Sequence, residues 1–280
     1  MKVLCRHYPE YFMEAFGLGI FMISASVVTA LLEYPASPIR LAIADPLLRR
    51  LIIGVAMGLT AIALIYSPWG KQSGAHFNPV VTFTFLRLGK IKWWDACFYI
   101  AAQFIGGLAG LLLAVGVLRN AIADPSVNYI VTTPGTGGIG VAFLAELMIS
   151  FGMMLMVLLV SNSPSRGRYT GLFAGALIAI YITLEAPLSG MSMNPARTLA
   201  SAIPAQHWTA IWVYFTAPLA GMLLASEVYV RWQGRGAVRC AKLHHRNNKR
   251  CIFRCGYGQR GREYEQFLLS DRLPRKEATD

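Results

Sequence analysis

The chain has 280 residues, 55% of them hydrophobic and only 14% charged, against roughly 25% charged residues in an ordinary water-soluble domain. That balance is unlike an ordinary soluble domain and points to a membrane protein. The formal charge is +12, but 13 of the 26 Lys and Arg residues lie from Arg231 onward, so the basicity belongs to a tail and a nucleic-acid-binding domain is excluded.

A membrane-crossing helix needs about 20 mostly apolar residues. In chain order, residues 1–10 form a short N-terminal segment with Lys2 and Arg6. The apolar stretch that follows is as long as a span and lacks a small-residue cleavage site, so it reads as a retained first helix. Spans are predicted at 11–32, 51–66, 94–118, 138–160, 170–186 and 208–230. Pairs of glycines at four-residue spacing, Gly54 with Gly58, Gly106 with Gly110 and Gly171 with Gly175, would let these helices approach closely.

Two further apolar stretches are too short to cross alone: SGAHFNPVVTFTFL at 73–86 and SGMSMNPARTLASAI at 189–203. In each an Asn precedes a Pro. Asn is a preferred N-cap, and Pro suits the first helical position, where no amide donor is required. Both therefore read as loops that feed half-length helices.

The order span, span, half-helix, span occurs twice, with Glu14 and Glu146 at similar places in the first span of each set. An odd number of spans per repeat means that the second copy enters from the opposite face. The predicted fold is thus an all-α membrane protein of six transmembrane helices plus two re-entrant half-helices in an inverted repeat. Its channel domain covers 11–231, with repeats at about 11–118 and 138–231. With both termini cytoplasmic, the inner segments hold most Lys and Arg residues, although Arg49 and Arg50 fall outside. Residues 232–280 read as a flexible, basic cytoplasmic tail. The odd count of five cysteines, three of them in that tail, argues against an extracellular disulfide framework.

Irregular backbone at membrane depth is tolerated only where protein or water satisfies it, so two such loops imply a central cavity. The half-helix N-termini would make it hostile to cations. Asn78 and Asn194 would donate to a water at the junction and break the order needed for proton hopping. Backbone carbonyls of Gly74, Ala75, His76, Gly190 and Ser192 would line the passage as acceptors.

The motifs HFNPVVT and SMNPART resemble the paired Asn-Pro-Ala signatures of the aquaporin and glycerol-facilitator (major intrinsic protein) family, with Val80 where Ala is usual. This resemblance implies a pore junction of Asn78, Pro79, Val80, Asn194, Pro195 and Ala196, with Val80 crowding it. It also implies a selectivity constriction of Met57, Ile182, Met191 and Arg197. Strict water channels of the family carry His where Ile182 stands, and glycerol facilitators carry Asp where Thr198 stands, so the filter matches neither set. The implied function is a passive channel for water, with a glycerol, urea or ammonia facilitator as the alternative. The implied assembly is a homotetramer in the cell membrane, with the lipid bilayer, water and small neutral solutes as partners and no cofactor.

Several residues carry two readings. Glu14 and Glu146 are charges inside spans, which suggests a proton relay; the resemblance implies instead that they brace the re-entrant loops. His76 reads as a pore-lining group or a pH sensor. Gln103 reads as a bond to a neighbouring helix, and Glu185 as solvated. In the tail, Cys240, His244, His245, Cys251 and Cys255 suggest a zinc site in a non-standard spacing, set against a basic segment attracted to anionic lipid headgroups. A secondary transporter or a non-conducting scaffold are the rivals of another class. An enzyme is not expected, since the spans hold no Ser-His pairing, Asp pair or metal-ligand set.

Overall fold

A computed structural model describes residues 2–257. Eight helices carry the architecture: α1 (Lys2–Glu33), α2 (Pro46–Tyr66), α3 (Pro79–Arg87), α4 (Trp93–Leu118), α5 (Gly138–Ser161), α6 (Thr170–Leu184), α7 (Pro195–Ala205) and α8 (Ile211–Gln233). Six of them are long and apolar enough to cross a membrane. The other two, α3 and α7, have 9 and 11 residues, or about 14 and 17 Å of helix, roughly half of a 30 Å hydrocarbon core.

Capping chemistry sets several of these boundaries. The first helix already starts at Lys2, and the second starts at Pro46, earlier than hydrophobicity alone suggests. Asp45 caps α2 by accepting the amides of Leu47 and Leu48, with Pro46 in the first turn, so the helix extends through the polar pair Arg49 and Arg50. Arg49 is buried there and bonded to Glu33 at 3.2 Å and to the Ile43 and Ala44 carbonyls. The Arg49 charge, which the expected topology puts in an outer segment, is thus paired locally with Glu33.

Helices pair as α1 with α4, α5 with α8 and α2 with α6, and small residues permit it. A Cβ on Gly110 would meet the Gly19 carbonyl oxygen at 2.3 Å, and one on Gly58 would meet that of Gly175 at 2.4 Å. Helix backbones at these crossings are thus in direct contact, the arrangement that four-residue Gly spacing favours. The outside is the reverse of a soluble protein: Ile105, Leu113, Val117 and Leu184 are exposed, as are Trp93, Trp94, Trp208, Trp212 and Trp232. Aromatic residues near the ends of apolar helices are the usual membrane-interface anchors.

The end of the bundle that carries the start of α1 also carries the chain beyond α8, since Arg250 pairs with Glu10 and bonds the Arg6 carbonyl; we call it the inner end. The expectation of a flexible tail fails for the part that is described. Val238, Cys240, Ala241, Leu243 and Phe253 are buried, because they pack on the loops around the inner mouth. Composition alone could not show this, since the segment contributes little core by itself and borrows one from the bundle.

Candidate functional site: a paired half-helix junction in a central cavity

Each re-entrant loop is held by one buried carboxylate. Glu14 accepts from Ser73 Oγ at 2.7 Å, from the backbone amides of His76 and Phe77 at 3.1 and 2.6 Å, and from Gln103 Nε2 at 2.8 Å. Glu146 accepts from Ser189 Oγ at 2.8 Å and from the amides of Ser192 and Met193 at 2.6 and 2.7 Å. The Tyr99 and Tyr214 hydroxyls add a matching bond to the Ser73 and Ser189 carbonyls, 2.6 Å each. With three loop donors on each carboxylate, and Gln103 as a fourth donor on Glu14, both oxygens of each are bonded and these carboxylates act as braces in the fold. Gln103 bonds Glu14 and Thr82, as a helix-bridging group would.

The braces hold an unusual backbone. Gly74, Ala75 and Phe77 have φ of +105°, +58° and +45°, and Gly190, Met191 and Met193 repeat the pattern at +82°, +48° and +53°. Non-glycine residues in the left-handed region are strained and persist only where surroundings over-determine them. Three loop donors on each carboxylate supply that determination.

Asn78 caps α3 through its Oδ1, which accepts the Val80 amide, and Asn194 caps α7 by accepting the amides of Ala196 and Arg197. The carboxamide nitrogens cross over. Asn78 Nδ2 donates to the Met193 carbonyl at 2.7 Å, and Asn194 Nδ2 donates to the Phe77 carbonyl at 2.8 Å. Each NH2 group carries two hydrogens, so one locks the junction and the second remains for a molecule in the lumen. Pro79 and Pro195 are buried in the first turns beside them.

A cavity of about 540 Å³ runs past this junction. Its wall includes Asn78, Asn194, Ala75, His76, Gly190 and Ser192, and also Met57, Ile182, Met191 and Arg197. The four constriction candidates therefore share one cavity. Met57 and Met191 are buried, and Met57 Sδ accepts a long contact from Ser24 Oγ at 3.9 Å. Arg197 Nη1 has no hydrogen-bond partner among the described residues, leaving guanidinium donors free.

Other expectations shift. Val80 is buried in the apolar core and is absent from the cavity wall, where Val81 stands instead. Its side chain points into the protein, so it does not crowd the passage. Gly74 also lies off the wall, and its carbonyl accepts the amide of Leu243 at 3.1 Å. Glu185 is buried rather than solvated, hydrogen-bonded to Ser189, which bonds Glu146 in turn. His76 stands on the wall with Nε2 donating to the Ala241 carbonyl at 2.8 Å and Nδ1 paired with the Thr82 hydroxyl at 3.0 Å. His244 is separate from the other tail ligand candidates, lying against the Tyr66 ring. Sequence reasoning missed Tyr99, Tyr214 and Thr82, and it noted Thr198 only as a departure from the glycerol-facilitator pattern, not as a partner of Ser192. Their signal was positional, as each pair occupies corresponding places in the two repeats.

The family description "Major intrinsic protein" matches residues 5–229. The chain belongs to the major intrinsic protein family. Among curated relatives, the probable aquaporin NIP4-2 of Arabidopsis thaliana is 38% identical over 63% of this chain and 61% of its own length. Aquaporin NIP1-2 of Oryza sativa subsp. japonica is 33% identical over 82% of this chain and 70% of its own. The match with aquaporin NIP2-2 of Zea mays covers 58% of that protein, so the chain spans about three-fifths of the length of the first relatives it resembles. The X-ray structure of the aquaglyceroporin from Plasmodium falciparum has the same fold, with a TM-score of 0.67 at 21% identity over 82% of this chain and 98% of that one. This major intrinsic protein is accordingly a multi-pass membrane protein of the aquaporin fold.

Proposed function

We propose that this protein is a passive transmembrane channel for water and small neutral solutes that rejects protons and ions. The carrying observation is the crossed Asn78 and Asn194 pair on the wall of one cavity. Two helix N-termini converge there, each with a partial positive charge, and Arg197 brings a full one nearby. A water bound by the remaining Asn hydrogens points its own hydrogens toward both mouths, and a proton cannot hop through that arrangement. Passive conduction fits better than ion-coupled transport, because both oxygens of Glu14 and of Glu146 are bonded to groups that hold the re-entrant loops.

Water is the primary solute in this reading. Facilitation of glycerol, urea or ammonia is the second, favoured by Ile182 on the wall beside Met57 and Met191. Three apolar side chains and one guanidinium lining the same cavity suit a solute with one polar and one apolar face, and Met can adapt its shape to it. Placement in the cell membrane with cytoplasmic termini and assembly as a homotetramer complete the proposal. The test is parallel stopped-flow of water, glycerol, urea and ammonia on one proteoliposome preparation. Flux that is linear in gradient with low temperature dependence is expected; saturation with ion coupling would replace the channel by a transporter.

A further inference from the structure

The two repeats match closely around the junction, yet they part at the inner mouth. Position 76 is His, whereas its counterpart in the second repeat is Ser192, bonded to Thr198 as His76 is bonded to Thr82. The His ring reaches further and meets the chain beyond α8. It donates to the Ala241 carbonyl and is stacked on Phe253, 5.5 Å between centroids and 11° from parallel. A Cβ on Gly74 would lie 2.8 Å from the Phe253 ring. Leu243 stands on the cavity wall.

The segment is fastened to the inner elements it touches. The Arg239 amide donates to Asn162 Oδ1 at 2.7 Å, the Arg254 amide to the Lys90 carbonyl at 2.9 Å, and the Tyr257 hydroxyl to the Ser161 carbonyl at 2.8 Å. Arg250 Nε donates to Glu10 at 2.6 Å. From Val238 to Cys255 there is neither helix nor strand. An irregular segment of this length buries too little apolar surface to hold one shape unaided, and segments of this size usually need a staple.

A candidate staple lies within it. One donor atom each from Cys240, His245, Cys251 and Cys255 lie within 4.8 Å of one another. Cys240 Sγ is 3.5 Å from Cys251 Sγ, and Cys255 Sγ is 2.9 Å from His245 Nε2. Three sulfurs and one nitrogen around a tetrahedral zinc ion, with Zn–S near 2.3 Å and Zn–N near 2.0 Å, stand about 3.5 to 3.8 Å apart. Small adjustments bring all four donors to one centre. A disulfide explains the cluster less well: it uses two sulfurs, leaving the third thiol and the imidazole converging without cause.

We propose that Cys240, His245, Cys251 and Cys255 form a structural zinc site that clamps residues 238–257 against the inner mouth and holds Leu243 at the end of the passage, restricting flux. Three soft thiolates with one imidazole select zinc over the hard cations that prefer oxygen. Four protein ligands complete its coordination, so the ion would serve architecture rather than catalysis. The Lys242 ammonium, bonded to the Lys249 and Arg250 carbonyls, closes the loop around it. The flux half of the proposal rests on the channel reading; the metal half does not.

The metal half is tested on the full chain purified in detergent. Native mass spectrometry is expected to find one zinc per chain, and cobalt(II) replacement to give the absorption of a tetrahedral thiolate site. Cys251→Ser with Cys255→Ser should abolish both, whereas His244→Ala should leave both unchanged. Absence of zinc, or an intact mass two hydrogens short without metal, overturns the site.

The flux half compares proteoliposomes before and after chelation, beside a chain ending at Gly236. Chelation should raise water flux several-fold, toward that of the shortened chain, and restored zinc should lower it. Equal flux with and without metal, while the shortened chain conducts, overturns the clamp's role. A shortened chain that conducts nothing defeats the channel reading instead, and zinc stoichiometry then decides the site alone.

Discussion

The Glu14 carboxylate accepts the Phe77 amide at 2.6 Å while Phe77 sits at a φ of +45°. A carboxylate 63 residues away in sequence thus holds the residue whose carbonyl receives Asn194. Loop strain, junction geometry and the buried charge form one mechanical unit.

Glu14→Gln separates these contributions. The new amide keeps one oxygen for Ser73 and His76 but presents an NH2 group to the Phe77 and Gln103 donors, so two buried donors lose their acceptor. At about 1–3 kcal/mol per unsatisfied buried group, the thermal transition in detergent should fall clearly. Glu146→Gln should lower the transition too, but by less, because only the Met193 amide faces the second carboxylate oxygen there. An unchanged transition in both would remove the bracing role.

Arg197→Val should act on selectivity and spare stability. The side chain lines the cavity, with Nη1 buried and unpartnered among the described residues, so little bonding is lost, and the transition should move by less than the equivalent of about 1 kcal/mol. Cation leak or passage of larger solutes should rise in stopped-flow and conductance assays. Unaltered selectivity would place the filter elsewhere.

Val80→Ala would restore the usual family residue, yet it should not widen the passage, because Val80 lies in the core and Val81 lines the cavity. Loss of two buried carbons should cost about 2 kcal/mol. Higher water permeability in this variant would contradict the orientation of its side chain.

Gly58→Ala tests the helix crossing. The added methyl would meet the Gly175 carbonyl oxygen at 2.4 Å, so α2 and α6 must separate. Overpacking of this kind typically costs about 1–3 kcal/mol, read as a lower thermal transition and, because Met57 neighbours the site, as altered flux. Gly116→Ala, with open space around it, is the control that should be neutral.

Much of this protein was written in one dimension. Six apolar runs, two Asn-Pro caps and the repetition of Glu14 as Glu146 specify spans, half-helices and inverted order, since hydrophobic length and capping are local properties that need no neighbours. What stayed hidden depends on which distant groups meet. Whether Val80 or Val81 faces the cavity, whether Glu185 is wet, and which tail histidine joins the cysteines are decided by orientation and by packing across the bundle. The inner tail is the sharpest case. Its composition is that of a chain unable to fold alone, and only contact with loops formed by residues far earlier in sequence gives it a surface to bury against.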